Sequence, residues 1–234
     1  MTGMALDLDR IRAVVFDMDD TIIDWHGAEA LAFRDTAEGH LVAQGVSLQE
    51  ATSAYELVVQ ENYKAFRETG RWWFVQDRLR LLCERLGLED HAEVLAVSFL
   101  EHSRRHLRWL PGGEEALQAA RRGRRTALLT NGFSRVQRPK VEKFGLAERL
   151  DFIGVSEELG HWKPDRRAFE AVLGQVGVAP RDALMVGDSI VFDLEPARSL
   201  GMQTVWVSRT GGTDPSADLV VRDPQGLLPH LQAP

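Results

Sequence analysis

The sequence predicts an α/β protein, a core built on a parallel sheet and interrupted by an inserted all-helical domain. Three observations predict it. Four short apolar runs rich in branched residues, Ala13 to Phe16, Thr126 to Leu129, Ala183 to Val186 and Thr204 to Val207, have the length and composition of strands buried on both faces. From Arg125 onward the runs alternate with helical stretches, the rhythm of a doubly wound, Rossmann-like parallel sheet. The first run stands more than 100 residues before the second, and the stretch between them reads as helix throughout. The length agrees, since 234 residues against a typical domain of about 150 make one domain and about half of another.

Taken in order, residues 1–23 carry the first strand and belong to the core. Residues 24–110 form the insert, with apolar residues three and four apart: Ala30, Phe33 and Ala37, then Tyr55, Val58 and Val59, then Leu79, Leu82 and Leu86, then Val94, Val97 and Leu100. Breaks at Gly45 to Ser47, Gly70 and Gly87 to Asp90 divide it into about four helices. The chain leaves the core around Asp24 to Gly27 and returns through Leu110-Pro111-Gly112-Gly113, a turn and hinge signal. Two such linkers are expected to let the insert open and close over the sheet's edge. The core resumes over residues 111–234: the second strand, a helix over Val136 to Phe144, a weaker strand over Phe152 to Val155, a helix over Arg166 to Val176, the third strong strand, a helix over Leu194 to Leu200, and the last strand. The tail beyond Asp223, with Pro224, Pro229 and Pro234, carries no motif.

Composition narrows the function. Apolar residues at 44% and charged residues at 27% suffice for a sizeable core. Thirty-five acidic against 28 basic side chains give a net charge of −7, which argues against binding a nucleic-acid polymer through its phosphates. The dense basic run Arg121-Arg122-Gly123-Arg124-Arg125 is expected to complement a helix C-terminus, with Gly123 as its cap, at the end of the sheet opposite the strands' carboxyl ends. No run approaches the roughly 20 apolar residues that span a bilayer, and Met1 to Arg12 lacks a secretory pattern, so a soluble, cytoplasmic protein with no membrane partner is expected. Cys83 is the single cysteine and reads as a small buried hydrophobe. Of the seven histidines only His102 and His106 stand four apart, and they read as a solvated helix face.

In an open parallel sheet, ligands bind beyond the carboxyl ends of the strands. The first strand ends in Asp17-Met18-Asp19-Asp20-Thr21, the second in Thr130-Asn131-Gly132, the third strong one in Gly187-Asp188-Ser189 followed by Asp193. Asp17 and Asp19, two apart on extended chain, point the same way. Carboxylates that converge oppose one another's ionisation unless a cation sits among them, and Mg²⁺ is expected because no His/Cys cluster competes for a softer metal.

Four motifs in order, Asp17-x-Asp19-x-Thr21, Thr130-Asn131-Gly132, Lys163-Pro164-Asp165 and Gly187-Asp188-Ser189 with Asp193, resemble the haloacid dehalogenase superfamily in its phosphatase branch. The helical insert resembles that family's small cap domain of the first type. The segments Thr130 to Leu146 and Ser156 to Phe169 resemble the branch of pyrimidine nucleotidases and N-acylneuraminate phosphatases. The resemblance implies Asp17 as nucleophile, forming an aspartyl-phosphate, and Asp19 as the acid that protonates the leaving alcohol and then, as base, activates water. It implies Thr130 and the Asn131 amide, at a helix start, as ligands of the phosphoryl oxygens. It implies Lys163, on the loop before a helix starting near Pro164, as the source of fixed positive charge. It implies Mg²⁺ held by Asp17, Asp188 and the backbone carbonyl of Asp19, with Asp193 orienting a water ligand or Lys163. The expected partner is a small phosphomonoester, a nucleoside 5′-monophosphate first and a sugar phosphate second.

Phosphomutase activity, 2-haloacid dehalogenation and noncatalytic binding are the competing readings. Dehalogenation needs no general acid, which Asp19 provides here. A binding module has no use for a nucleophile beside an acid. Two positions depart from the family's pattern. Pro196 stands where a Gly is usual, and Trp25 replaces a small hydroxyl residue, either lining the substrate pocket or packing. Thr21 reads equally as support for the first catalytic loop and as a turn cap, and Trp72-Trp73-Phe74 as core packing, with stacking on a base as the alternative.

Overall fold

The computed structural model describes residues 6–69, 73–89 and 91–231. Gly70, Trp72, Asp90 and Pro234 lie outside the described residues. Six strands, β1 (Ala13–Phe16), β2 (Arg125–Thr130), β3 (Phe152–Val155), β4 (Ala183–Gly187), β5 (Gln203–Val207) and β6 (Leu219–Val221), form one sheet in the order β3-β2-β1-β4-β5-β6. Every pairing is parallel. This is a Rossmann-like α/β sheet, and its strand order reverses between β1 and β4, where such sheets open a crevice beyond their carboxyl ends. Phe16 pairs with Leu128 on one side and Val186 on the other, so the chain leaves β1 between the ends of β2 and β4. The strands are apolar runs because both faces are covered. On one face Val15, Ala127, Leu129 and Met185 pack with Phe169, Val172 and Ala197 in a single core.

The contacts divide the chain into two compact units, one running up to Trp25 and again from Arg108, the other over His26–Leu107. The second holds the helices α1 (Trp25–His40, begun in the first unit), α2 (Leu48–Thr69), α3 (Val75–Arg85) and α4 (Ala92–His106). Its buried face is largely the one the apolar spacing suggested, with Phe33, Ala37, Tyr55, Val58, Leu79 and Leu82 buried, and it differs in phase in α4. Ala28, Ala32, Phe33 and Ala37 are buried while Ala30 is exposed, and in α4 Leu95, Ala96 and Phe99 are buried while Val94 and Val97 are 56% and 61% exposed. Both sets satisfy helical spacing, and only packing decides between adjacent phases. Phe33 stacks on Tyr55 at 4.1 Å, and Cys83 is buried. His102 and His106 do not face solvent alone, because Asp35 on α1 accepts from His106 Nε2 at 2.6 Å and lies 3.6 Å from His102 Nδ1.

The first unit carries α5 (Gly113–Ala120), α6 (Ser134–Lys143), α7 (Ser156–Leu159), α8 (Arg166–Val176), α9 (Glu195–Ser199) and α10 (Leu228–Leu231). The helix expected over Leu194 to Leu200 is α9, and a wide π turn over Ile190–Leu194 leads into it. Ser189 caps the turn by accepting from Phe192 N, and Pro196, which has no N–H to offer, falls in the first turn of α9. β6 escaped the sequence pattern because three residues are too few to show a period. Pro164 precedes α8 rather than starting it, since Asp165 is the N-cap and accepts from Arg167 N at 2.9 Å. Gly123 (φ +81°) lies in the turn before β2, while α5 has already closed on Arg121. The arginines beside it are tied to Glu148 O, Leu231 O and Asp151 at the amino end of the sheet. Among the described residues no helix is long and apolar enough to cross a membrane.

Candidate active site

Asp17 follows β1 directly, its N–H donating to Val186 O of β4 at 2.9 Å. The side chain is buried, and both carboxylate oxygens are held. Thr21 Oγ1 donates to Oδ2 at 3.0 Å, and Lys163 Nζ donates to Oδ1 at 2.6 Å. Thr21 therefore fixes the Asp17 carboxylate itself, a role the sequence left undecided. Lys163 also donates to Asp193 Oδ1 at 2.6 Å, and the second oxygen of Asp193 accepts from Ser189 N at 3.1 Å. Gly187 makes room for this, since a Cβ there would stand 2.5 Å from the Asp193 side chain.

Carboxylate oxygens of Asp17, Asp188 and Asp193 all lie within 4.8 Å of one another. Burial, reinforced by Asp193 and Asp19, raises Asp17 to about 7 against the pull of Lys163. Burial together with Asp17 and Asp193 also raises Asp188 well above the carboxylate range. For Lys163, burial acts downward but Asp17 and Asp193 overcome it, so the ammonium is held charged. Three carboxylates against one ammonium leave a deficit of positive charge. The donor set is all oxygen, compact and anionic, and it fits a hard dication.

Asp19 stands apart from this group. Its side chain is not among the three that converge. Lys140 Nζ donates to both of its oxygens, at 2.8 and 2.7 Å, and Gln137 Nε2 donates to Oδ2 at 2.9 Å. Sequence reasoning missed both partners. Their three-residue spacing on α6 puts them on one face, but nothing local to 137–140 announces a carboxylate 121 positions earlier. Trp25, partly buried, has the Lys140 ammonium 3.6 Å above its ring.

Thr130 ends β2, buried, and its hydroxyl accepts from Gln137 Nε2 at 2.8 Å. Thr130 and Asn131 are not at the helix start, which comes at Ser134. The Asn131 side chain instead grips the loop that carries Lys163, accepting from Lys163 N at 2.8 Å and donating to Lys163 O at 2.9 Å, while Ser156 Oγ donates to Asn131 Oδ1 at 2.7 Å. The structure thus bonds Lys163 to Asp17 and Asp193 and places a carboxylate oxygen of Asp188 within 4.8 Å of both acids. It ties Thr130 to Asp19 through Gln137, and Asn131 to Lys163 through the backbone.

A carboxylate held ready beside a lysine, a second carboxylate two residues on with separate partners, and a buried hydroxyl at the next strand end suit nucleophilic displacement with acid–base assistance. A family model described as haloacid dehalogenase-like hydrolase matches residues 11–201. The chain is 40% identical over 123 residues to phosphoserine phosphatase of Thermus thermophilus, a match covering 53% of this chain and 49% of that one. With pyrimidine 5′-nucleotidase YjjG of Escherichia coli it shares 36% over 100 residues, 42% of this chain and 44% of that one. It thus spans about half the length of these two relatives. Glyceraldehyde 3-phosphate phosphatase of Pyrococcus furiosus matches over 84% of this chain and 80% of its own, at 27% identity. Among solved structures, HAD-hydrolase YfnB of Bacillus subtilis bound to magnesium superposes with a TM-score of 0.80 over 96% of this chain and 100% of that one, at 26% identity. With the family model running from two residues before β1 to the turn before β5, through every residue of the site, the chain belongs to the haloacid dehalogenase-like hydrolases.

Proposed function

We propose that this chain is a Mg²⁺-dependent phosphoric monoester hydrolase that works through an aspartyl-phosphate, with a nucleoside 5′-monophosphate as the leading substrate class and a sugar phosphate next. The observation that carries this is the separation of two carboxylates two residues apart: Asp17 clamped by Thr21 and Lys163, Asp19 on its own partners. The phosphatases and nucleotidase among the relatives support the reaction class.

Asp17 attacks phosphorus, an Asp17 O–P bond forms and the ester P–O bond breaks. Asp19 gives its proton to the leaving alkoxide. It then takes a proton from water as that water attacks the aspartyl-phosphate, returning Asp17 and releasing phosphate. Thr130 Oγ1, the Asn131 N–H and the Lys163 ammonium are the donors for the phosphoryl oxygens. Mg²⁺ would be held by Asp17, Asp188 and the Asp19 carbonyl, with Asp193 orienting Lys163 to which it is bonded, and would supply positive charge against the phosphoryl group. The insert serves as the cap that excludes water during the reaction, and the protein works in the cytoplasm.

The test is a panel of phosphomonoesters with Mg²⁺, assayed for phosphate release with wild type and Asp17→Asn. The proposal expects release by wild type without any bisphosphate activator, and none by Asp17→Asn or in excess chelator. Turnover only with a bisphosphate would point to a phosphomutase, and no turnover across the panel would point to a binding protein.

A further inference from the structure

The side chains with no part yet in the chemistry are those that hold Asp19. Lys140 is buried, and its ammonium lies between the Asp19 carboxylate and the face of Trp25. Gln137, also buried, turns its amide nitrogen toward Asp19 Oδ2, Thr130 Oγ1 and Asn131 O, at 2.9, 2.8 and 2.8 Å, three acceptors that share two N–H groups. The two Asp19 carboxyl oxygens together take three contacts from these two residues. Even the glycine after Asn131 serves them, because a Cβ at Gly132 would meet the Gln137 side chain at 2.8 Å. Burying a lysine and a glutamine at one strand end is costly, the more so because Gln137 Oε1 is buried with no hydrogen-bond partner. A site that merely needed filling would use apolar residues.

We infer that Lys140 and Gln137 are positioning residues for the acid–base carboxyl of Asp19, with Trp25 as the surface that keeps the Lys140 ammonium on it. The inference rests on the phosphatase reading above. Through Gln137 the same pair registers Asp19 against Thr130, so that acid and phosphoryl-binding hydroxyl are set by one helix face. Neither residue exchanges a proton with the substrate. Their work is to hold the carboxyl where the leaving oxygen appears, which matters most when that oxygen is a poor leaving group.

The experiment compares kcat on ethyl phosphate and para-nitrophenyl phosphate for wild type, Lys140→Met, Lys140→Arg, Gln137→Met and Asp17→Asn, with thermal midpoints recorded alongside. Lys140→Met is expected to lose about tenfold or more on the alkyl ester and about threefold or less on the aryl ester, part of the ~10²–10⁴ that a general acid contributes. Lys140→Arg should restore part of the alkyl rate, and in a further variant, Lys140→Ala, added methylamine should restore part of it. Gln137→Met should show the same alkyl bias. Equal losses on both esters, or wild-type kcat on both, would overturn the positioning role. If Lys140→Met loses its fold, the esters are compared in Gln137→Met. Should Lys140→Met match wild type while Asp17→Asn is inactive, only this inference fails. Should Asp17→Asn turn over, the aspartyl-phosphate reading fails first.

Discussion

At the scale of single residues, the chemistry lies in who holds which carboxylate. Asp17, Asp188 and Asp193 were legible because strand-end acids in a parallel sheet converge wherever the strands do. Lys140 and Gln137 were not, because their partner lies across the fold on another strand end and their own neighbourhood is an ordinary polar helix. Asn131 was legible as a site residue but not in its manner of acting, since the grip on Lys163 comes from its side chain. One prediction belongs here. Gly187→Ala puts a Cβ 2.5 Å from the Asp193 carboxylate that Lys163 binds. Such overpacking is expected to cost about 1–3 kcal/mol in urea unfolding and to lower kcat by displacing Lys163. Unchanged stability and kcat would show that Asp193 has room to move.

At the scale of elements, the strands were readable as short apolar runs and the helices as spaced apolar residues, but spacing left the helix phase open. In α4 the runs Val94-Val97-Leu100 and Leu95-Ala96-Phe99 both have the period, and tertiary packing buried the second. The insert also hides polar groups that no periodicity marks. Glu29 of α1 accepts from Arg78 of α3 at 2.8 Å and from Tyr55 of α2 at 3.1 Å, tying three helices at one buried carboxylate. Arg78→Met strands that carboxylate and is expected to cost about 3–5 kcal/mol by chemical denaturation. Arg78→Met with Glu29→Leu should recover most of the loss, because the unpaired charge goes with its partner. A double variant as unstable as the single one would mean the three-helix junction depends on the polar contacts themselves.

At the scale of the whole molecule, the parallel order fixes where the acidic residues meet, and the meeting makes stability depend on pH in a definite direction. An ordinary Asp ionises near 3.8, while Asp17 in the fold does so near 7 and Asp188 is raised as well. Between these values folding takes up protons, so the stability present below about pH 4 is lost as the pH rises toward and past 7. Asp35, Asp151, Glu158 and Asp165 are lowered, and their contribution is lost only in acid, below that window. The melting temperature of chelator-treated protein should therefore fall from pH 5 to pH 8 through this cluster, and Mg²⁺ should flatten the decline. A rise in the presence of chelator would mean the three carboxylates are already neutralised by protein groups alone. The central claim is the covalent step at Asp17, and it is tested most directly by mixing enzyme with a turned-over phosphomonoester, quenching in acid within one turnover, and mapping the peptides by mass spectrometry. The account predicts one added phosphoryl group on the β1 peptide, at Asp17, absent from Asp17→Asn; an active enzyme that never carries it there would contradict the account.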